Sequence, residues 1–374
     1  MTVYGQYSYS NPRTETNYFD LANGNFALLS SLLIYSTQYN IGWSWANAPH
    51  TLANAGAEIR PWKRVRVVES LTTDRYNNTS YGTLTQQILS SPASTYPALV
   101  TALTTPQSVH TNREQVEAIV DVTNKISLRG GYRYEWGEAT VRAGGLDQQG
   151  PQASQQLKRN VGLAGATVRP WQKLSLNLDY EGAATDQNYF RTSLYNYHKV
   201  RARARYQAFT SLLFQANFGL LNNQNPTPGV DYNFESRDNS LAAFWTPGGG
   251  KRISVMAEYN RSTVTSSINF LLLPFYTPSV SLYRDAAHTA SSTIDINLPA
   301  IGGVAAKLSA GGSLFYSAGS RASRYYQPLA RLSLPLRKNI QWNTEWRYYG
   351  YGEPLYTYES FRVHTFMTGL RVSK

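Results

Sequence analysis

Cysteine is absent from all 374 residues, which excludes disulfides, thiolate zinc sites and covalent c-type haem attachment within this chain. Charge is scarce. Asp, Glu, Lys and Arg make up 16% of the sequence, against about 25% in an average soluble domain. No run of about 18 apolar residues occurs, so no transmembrane helix is expected. Catalytic signatures are missing too: no His-Glu-x-x-His, no phosphate-cradling glycine loop between strand and helix, and no Gly-x-Ser-x-Gly elbow. The five histidines (His50, His110, His198, His288, His364) are scattered. The expectation is a non-enzyme without cofactor. The opening Met1-Thr2-Val3-Tyr4 carries no signal peptide, as in a mature form or a piece of a longer chain.

Aromatics, by contrast, are plentiful: 13% of the chain, with 28 Tyr and 8 Trp, at a mean hydropathy of -0.40. Many aromatics, few charges and no oily helix fit a membrane β-barrel, because lipid-facing and water-facing residues alternate and cancel in the average. The alternation is directly visible. From Lys173 to Glu181, Leu174, Leu176, Leu178 and Tyr180 fall on one face and Lys173, Ser175, Asn177, Asp179 and Glu181 on the other, the period of a strand with one oily side. The corner before it, Arg169-Pro170-Trp171-Gln172, recurs as Arg60-Pro61-Trp62-Lys63. Similar short corners return every ~35 to 60 residues, which also invites a propeller. A propeller needs four strands per blade and a blade signature, whereas each period here holds two strands. The expectation is therefore all-β: a closed antiparallel up-and-down transmembrane barrel of roughly sixteen strands, with short turns on one side and long loops on the other, in one domain spanning 1–374.

Two connections look long, Asn11 to Pro49 and Thr73 to Thr111, and are expected to fold inward or over the mouth. The first holds the apolar run from Phe26 to Tyr35, read as a short helix or an inward loop that either packs on the wall or plugs it. Pro328 inside a strand, and Val68, Ile119 and Leu329 on wet faces, break the pattern.

Trp62, Trp171 and Trp245 sit beside short turns, while Tyr134, Trp136, Trp346 and Tyr348 sit toward loop ends; with Trp342 they form the expected membrane girdles, where amphipathic rings meet headgroups. The sharpest polar feature is the ladder Lys199, Arg201, Arg203, Arg205, opposite in parity to His198, Val200, Ala202, Ala204 and Tyr206. A Lys or Arg facing lipid at mid-depth costs roughly 2–4 kcal/mol, so the ladder is expected to face a lumen. Arg129, Arg133, Arg252 and Arg347 share that inward parity, interleaved with Asp179, Glu258 and Glu345. Three readings stay open: a mutually neutralised lumen, a basic strip favouring anions in a water-filled pore, or a wall against which an acidic or haem-propionate-bearing partner docks. The net charge of +12 alternates along strands rather than forming a patch, so nucleic acid is not an expected partner.

These alternating strands, aromatic levels and turn/loop asymmetry resemble bacterial outer-membrane β-barrels of the porin kind. The resemblance implies residence in the outer membrane, contact with its lipid and passive passage of small polar solutes, anions favoured. The ending Leu370-Arg371-Val372-Ser373-Lys374 departs from the terminal aromatic usual in such barrels. Trp346-Arg347-Tyr348-Tyr349-Gly350 and the basic strands also look like barrels that sheath multihaem cytochromes in electron conduits, which implies a scaffold enclosing a cytochrome as the alternative function. A barrel hydrolase is a second alternative, needing Ser, His and an acid to converge.

Overall fold

The computed structural model describes the chain except residues 29–32, 91–93, 96–98, 105, 143–151, 191, 273–276, 301–303, 338, 355–356, 358–359 and 373–374. In chain order the strands are β1 (Thr2–Ser10), β2 (Arg13–Leu28), β3 (Leu33–Asn47), β4 (His50–Trp62), β5 (Val65–Ser90), β6 (Ser94–Thr95) and β7 (Leu99–Thr104). There follow β8 (Gln107–Thr123), β9 (Ile126–Arg142), β10 (Gln152–Trp171), β11 (Leu174–Gln187), β12 (Asn196–Phe209), β13 (Leu212–Asn225) and β14 (Tyr232–Trp245). The last are β15 (Ile253–Leu272), β16 (Thr277–Asn297), β17 (Lys307–Gly319), β18 (Arg324–Arg337), β19 (Ile340–Gly352) and β20 (Phe361–Val372). One short 3-10 turn, Pro247–Gly250, joins β14 to β15.

All ladders are antiparallel. A continuous wall runs β1–β4–β5–β8–β9 and then strand by strand to β20. One sequence expectation needs correction here. The described residues form twenty strands, not about sixteen, because both long connections continue as sheet. Residues 11–49 hold the β2–β3 hairpin, and β5 runs on past the wall so that Thr79 to Ser90 pair with β3, while Tyr81 to Gln86 pair with β7. The Phe26–Tyr35 run is strand at both ends, Phe26 opposite Tyr35 and Leu28 opposite Leu33; its centre lies outside the described residues. Its β-branched and aromatic members suit a pleated surface better than a helix. The described ladders include none between β1 and β20.

Register carries the alternation across every strand. Leu178 stands opposite Ala166 and Ala202, while Asp179 stands opposite Gly165 and Arg201. In these ladders one face is therefore apolar and the other polar. The apolar side chains are left uncovered: Leu178 is 48% exposed, Leu241 54%, Leu314 62% and Phe366 77%. Buried apolar residues are few, and one cluster of them (Val161, Ala183, Tyr197) lies on the polar face.

The turn-side corners have a common construction. In the hairpins β4–β5, β8–β9, β10–β11, β12–β13 and β18–β19 the register shifts by one residue just before the turn. Each is a bulge with its extra residue on the incoming strand, which bends and twists it into the corner. Pro61 and Pro170 sit inside two of these bulges, where a missing N–H costs no ladder bond. Pro328 has a related explanation: it pairs toward β17, but toward β19 the ladder passes from Tyr326–Gly350 to Leu329–Arg347 without it.

Because the bulge holds the surplus residue, deleting Pro170 is expected to leave both faces in register and the protein foldable. Deleting Ala166, inside the ladder, inverts the faces of everything before it in β10 and is expected to abolish folding. Refolding yield, read from circular dichroism and the mobility of the unheated protein on gels, distinguishes the two.

Candidate functional site

The polar face of β8–β15 gathers most of the charge. Lys199, Arg201, Arg203 and Arg205 stand opposite Glu181, Asp179, Asn177 and Ser175 on β11. On the other side they meet Leu221, Gly219, Asn217 and Gln215 on β13. Arg203 donates from Nε to Asn217 Oδ1 at 3.1 Å. Arg129 on β9 reaches over β10 to Asp179 on β11 at 2.5 Å. Gly165 lies between them, where a Cβ would stand 2.9 Å from Asp179 Oδ1.

Two regions of opposite character result. Toward the loop end, a single carboxylate collects three guanidiniums. Glu135, 5% exposed, lies 3.1 Å from Arg113, 3.0 Å from Arg133 and 3.1 Å from Arg159, and Arg133 also donates to Glu181 at 3.1 Å and to the Tyr197 hydroxyl at 3.2 Å. This network anchors the connection from β11 to β12. Arg159 donates to the Leu194 carbonyl at 2.5 Å, and the wholly buried Asn223 accepts from the Tyr195 N–H at 2.6 Å. The Tyr189 hydroxyl crosses to β8, donating to the His110 carbonyl at 2.6 Å. A strap is thus laid flat across the polar face, covering the Val161–Ala183–Tyr197 cluster. Gly137 lets it close down: a Cβ there would stand 1.9 Å from the His110 carbonyl and 2.1 Å from the Tyr189 hydroxyl.

Below the strap is a cavity of about 800 Å³ lined by Arg66, Arg129, Arg169, Arg201 and Arg203, with Asp179 and Asp238 the acids among its lining. A second, of about 400 Å³, shares Arg169 and Arg203 and adds Arg205. Among the described residues Arg66, Arg169, Arg201 and Arg205 form no ion pair with a carboxylate.

The remaining expected residues lie elsewhere. Arg347 pairs with Glu345, which also accepts from Arg331 Nε at 2.6 Å, on β18 and β19 far around the wall. Glu258 faces the polar side opposite Ala242 and Ser291. Arg252 is not on a strand: it lies in the turn before β15, its carbonyl accepting from Asn297 N–H at 2.7 Å. Trp62, Trp171 and Trp245 stand on the apolar face at the turn end, and Trp342 above them is bonded to Thr368 at 2.8 Å. Trp136, stacked on Tyr134 at 5.3 Å, and Trp346 and Tyr348, both against His364, occupy that face nearer the loops. Sequence reasoning missed Arg66, Arg113, Arg159, Arg169 and Tyr189 as site residues. Parity alone signals Arg66; a corner bulge hides Arg169, and no local pattern marks the strap. No group of three or more His, Cys, Asp or Glu is placed to hold a metal ion among the described residues.

No protein-family model and no curated protein matches the chain. Among solved structures it is similar to the FrpB iron transporter from Neisseria meningitidis (10% identity, TM-score 0.45, 99% of this chain, 73% of that one). It is also similar to the alcaligin outer-membrane receptor FauA from Bordetella pertussis (9%, 0.41, 98% and 74%). A third is the closed form of the ferric-catecholate import receptor Fiu from E. coli K12 (11%, 0.40, 99% and 80%). At these scores and identities the function has to be argued from the chain's own geometry.

Replacing Glu135 by Gln leaves three guanidiniums without their shared anion, and breaking a buried pair in this way typically costs about 3–5 kcal/mol. Loss of stability on that scale is expected in urea unfolding, against a negligible change for Asp238→Asn at an exposed position. Gly137→Val is expected to displace both the Tyr189 hydroxyl and the β8 backbone at His110, lowering stability as well and exposing the 189–190 peptide to limited proteolysis.

Proposed function

We propose that the wall closes by pairing β1 with β20 into a barrel in the bacterial outer membrane, and that it serves as a passive, non-catalytic channel for small polar solutes, with anions favoured. Three features support this reading. Alternating antiparallel neighbours set β1 and β20 antiparallel to each other, so their outer edges match. The uncovered apolar face suits lipid and no other solvent. The observation that carries the choice of cargo is the set of guanidiniums on the polar cavities, Arg66, Arg169, Arg201 and Arg205, none of which forms an ion pair with a carboxylate among the described residues. In a confined, water-filled space such cations raise the local concentration of anions.

Purified protein in planar bilayers is expected to conduct, with a higher permeability for chloride than for potassium. Arg201→Glu combined with Arg203→Glu should reverse that preference, most clearly at low ionic strength where screening is weak. A preparation that does not conduct, or that carries a haem Soret band in fixed ratio, would replace the channel by the enclosed-cytochrome reading. Membrane contact has its own test. Leu178→Arg is expected to destabilise the protein in lipid vesicles by roughly 2–4 kcal/mol, whereas Asn177→Arg, one residue away on the polar face, should be near neutral.

A further inference from the structure

On the apolar face of β18–β20 the loop end changes character. Trp346 and Tyr348 on β19 lie against His364 on β20, with ring centroids 6.1 and 4.7 Å away, and the hydroxyls of Tyr326 and Tyr348 are 3.0 Å apart. One ladder step further toward the loops the aromatic belt stops. Gly350 faces Tyr326 on one side and Arg362 on the other, and Gly352 faces Arg324. Two exposed arginines thus flank a strip of β19 that has no side chains. Strands are about 4.8 Å apart and residues two apart on β19 are separated by about 7 Å, so the arginines' Cα atoms are roughly 12 Å apart and both guanidiniums reach a group seated between them. The Tyr326 ring lies over Gly350, where a Cβ would stand 2.4 Å from it.

The notch so formed is a cavity of about 720 Å³ whose lining includes Arg324, Tyr326, Ser360, Phe361 and Arg362. Its acid, Glu353, is already engaged: Arg321 binds both its oxygens at 2.6 and 2.9 Å and the Tyr351 hydroxyl donates at 2.7 Å. Arg324 and Arg362 themselves form no ion pair among the described residues. Below the notch the same face is oily, with Phe366 and Leu370 both exposed.

We propose that this notch binds the phosphate headgroup of an anionic membrane lipid, the two guanidiniums clamping the phosphate oxygens while the acyl chains run down over Phe366 and Leu370. Arginine is suited to this, its planar fork matching a phosphate's oxygens two at a time. A lipid, rather than a soluble anion, is indicated because both arginines stand on the same face as Tyr326, Trp346, Phe366 and Leu370. The proposal rests on the membrane reading above but not on conduction.

The full chain, delipidated in detergent, is titrated with phosphatidate and with phosphatidylcholine, and bound lipid is counted by native mass spectrometry. Phosphatidate is expected to bind at least tenfold more tightly, as one saturable lipid. Arg324→Gln/Arg362→Gln should remove that preference and the lysine pair should retain part of it. Arg60→Gln/Arg337→Gln, which removes the same charge at the turn end, should leave it intact. Equal affinity for the two lipids, or a preference surviving in the glutamine pair, would overturn the proposal, as would displacement of phosphatidate by millimolar inorganic phosphate. If the preference is missing while the protein still resists carbonate extraction from vesicles, the notch assignment fails and the membrane reading stands.

Discussion

The structure is governed by the need of every backbone N–H and C=O to find a partner within the chain. In hydrocarbon an unpaired group costs several kcal/mol, and only helices and closed sheets avoid that cost. Among the described residues there is no helix beyond one 3-10 turn, so the ladders carry the obligation. From β4 to β19 each wall strand is bonded on both sides. The exceptions are the outer edges of β1 and β20, which makes their mutual pairing a matter of energetics as much as of shape. Pro61, Pro170 and Pro328 obey the same rule, two of them within corner bulges and the third at a ladder gap.

Once the wall is fixed, side chains have only two destinations, and the usual inside-out order is reversed. Apolar residues project from the sheet uncovered, and the tightly packed contacts are polar. The buried apolar residues are few, the strap covers the cluster Val161, Ala183 and Tyr197, and the strap is held by ions and amides rather than by a hydrophobic interface. Stability at the loop end therefore depends on a charge network whose members come from β8 to β12. That network is stiff because no single carboxylate or guanidinium in it is expendable: Glu135 serves three arginines, and Arg133 serves two carboxylates and a tyrosine.

Alternation was legible in the sequence because a strand with two solvents writes its period directly into composition. Lys173 to Glu181 shows this residue by residue, and the ladder from Lys199 to Arg205 is the same signal on the next strand. Pairing was not legible. That Arg129 reaches Asp179 across Gly165, or that Arg113, Arg133 and Arg159 converge on Glu135, depends on the register of three strands, and each strand's own sequence is compatible with neighbouring registers. The β2–β3 extension was mistaken for loop for a related reason. Its Ser, Thr and Asn content resembles that of connections, and only pairing with the far end of β5 turns it into sheet. Arg252 shows the limit of parity arguments, since counting in twos past the end of a strand assigns a face to a residue that has none.

The distribution of cations over the two faces follows from these constraints and is more informative than the net charge. Where polar-face arginines carry structure they are matched with acids, as around Glu135 and Glu345. Where they are not matched, at Arg66, Arg169, Arg201 and Arg205, they line open space, so their repulsion is tolerated by water rather than cancelled by protein. On the apolar face Arg324 and Arg362 stand beyond the aromatic residues, opposite glycines of β19. A guanidinium facing hydrocarbon at mid-depth costs roughly 2–4 kcal/mol, and one facing water costs little. Both of these sets of cations stand where an anion from outside can approach them.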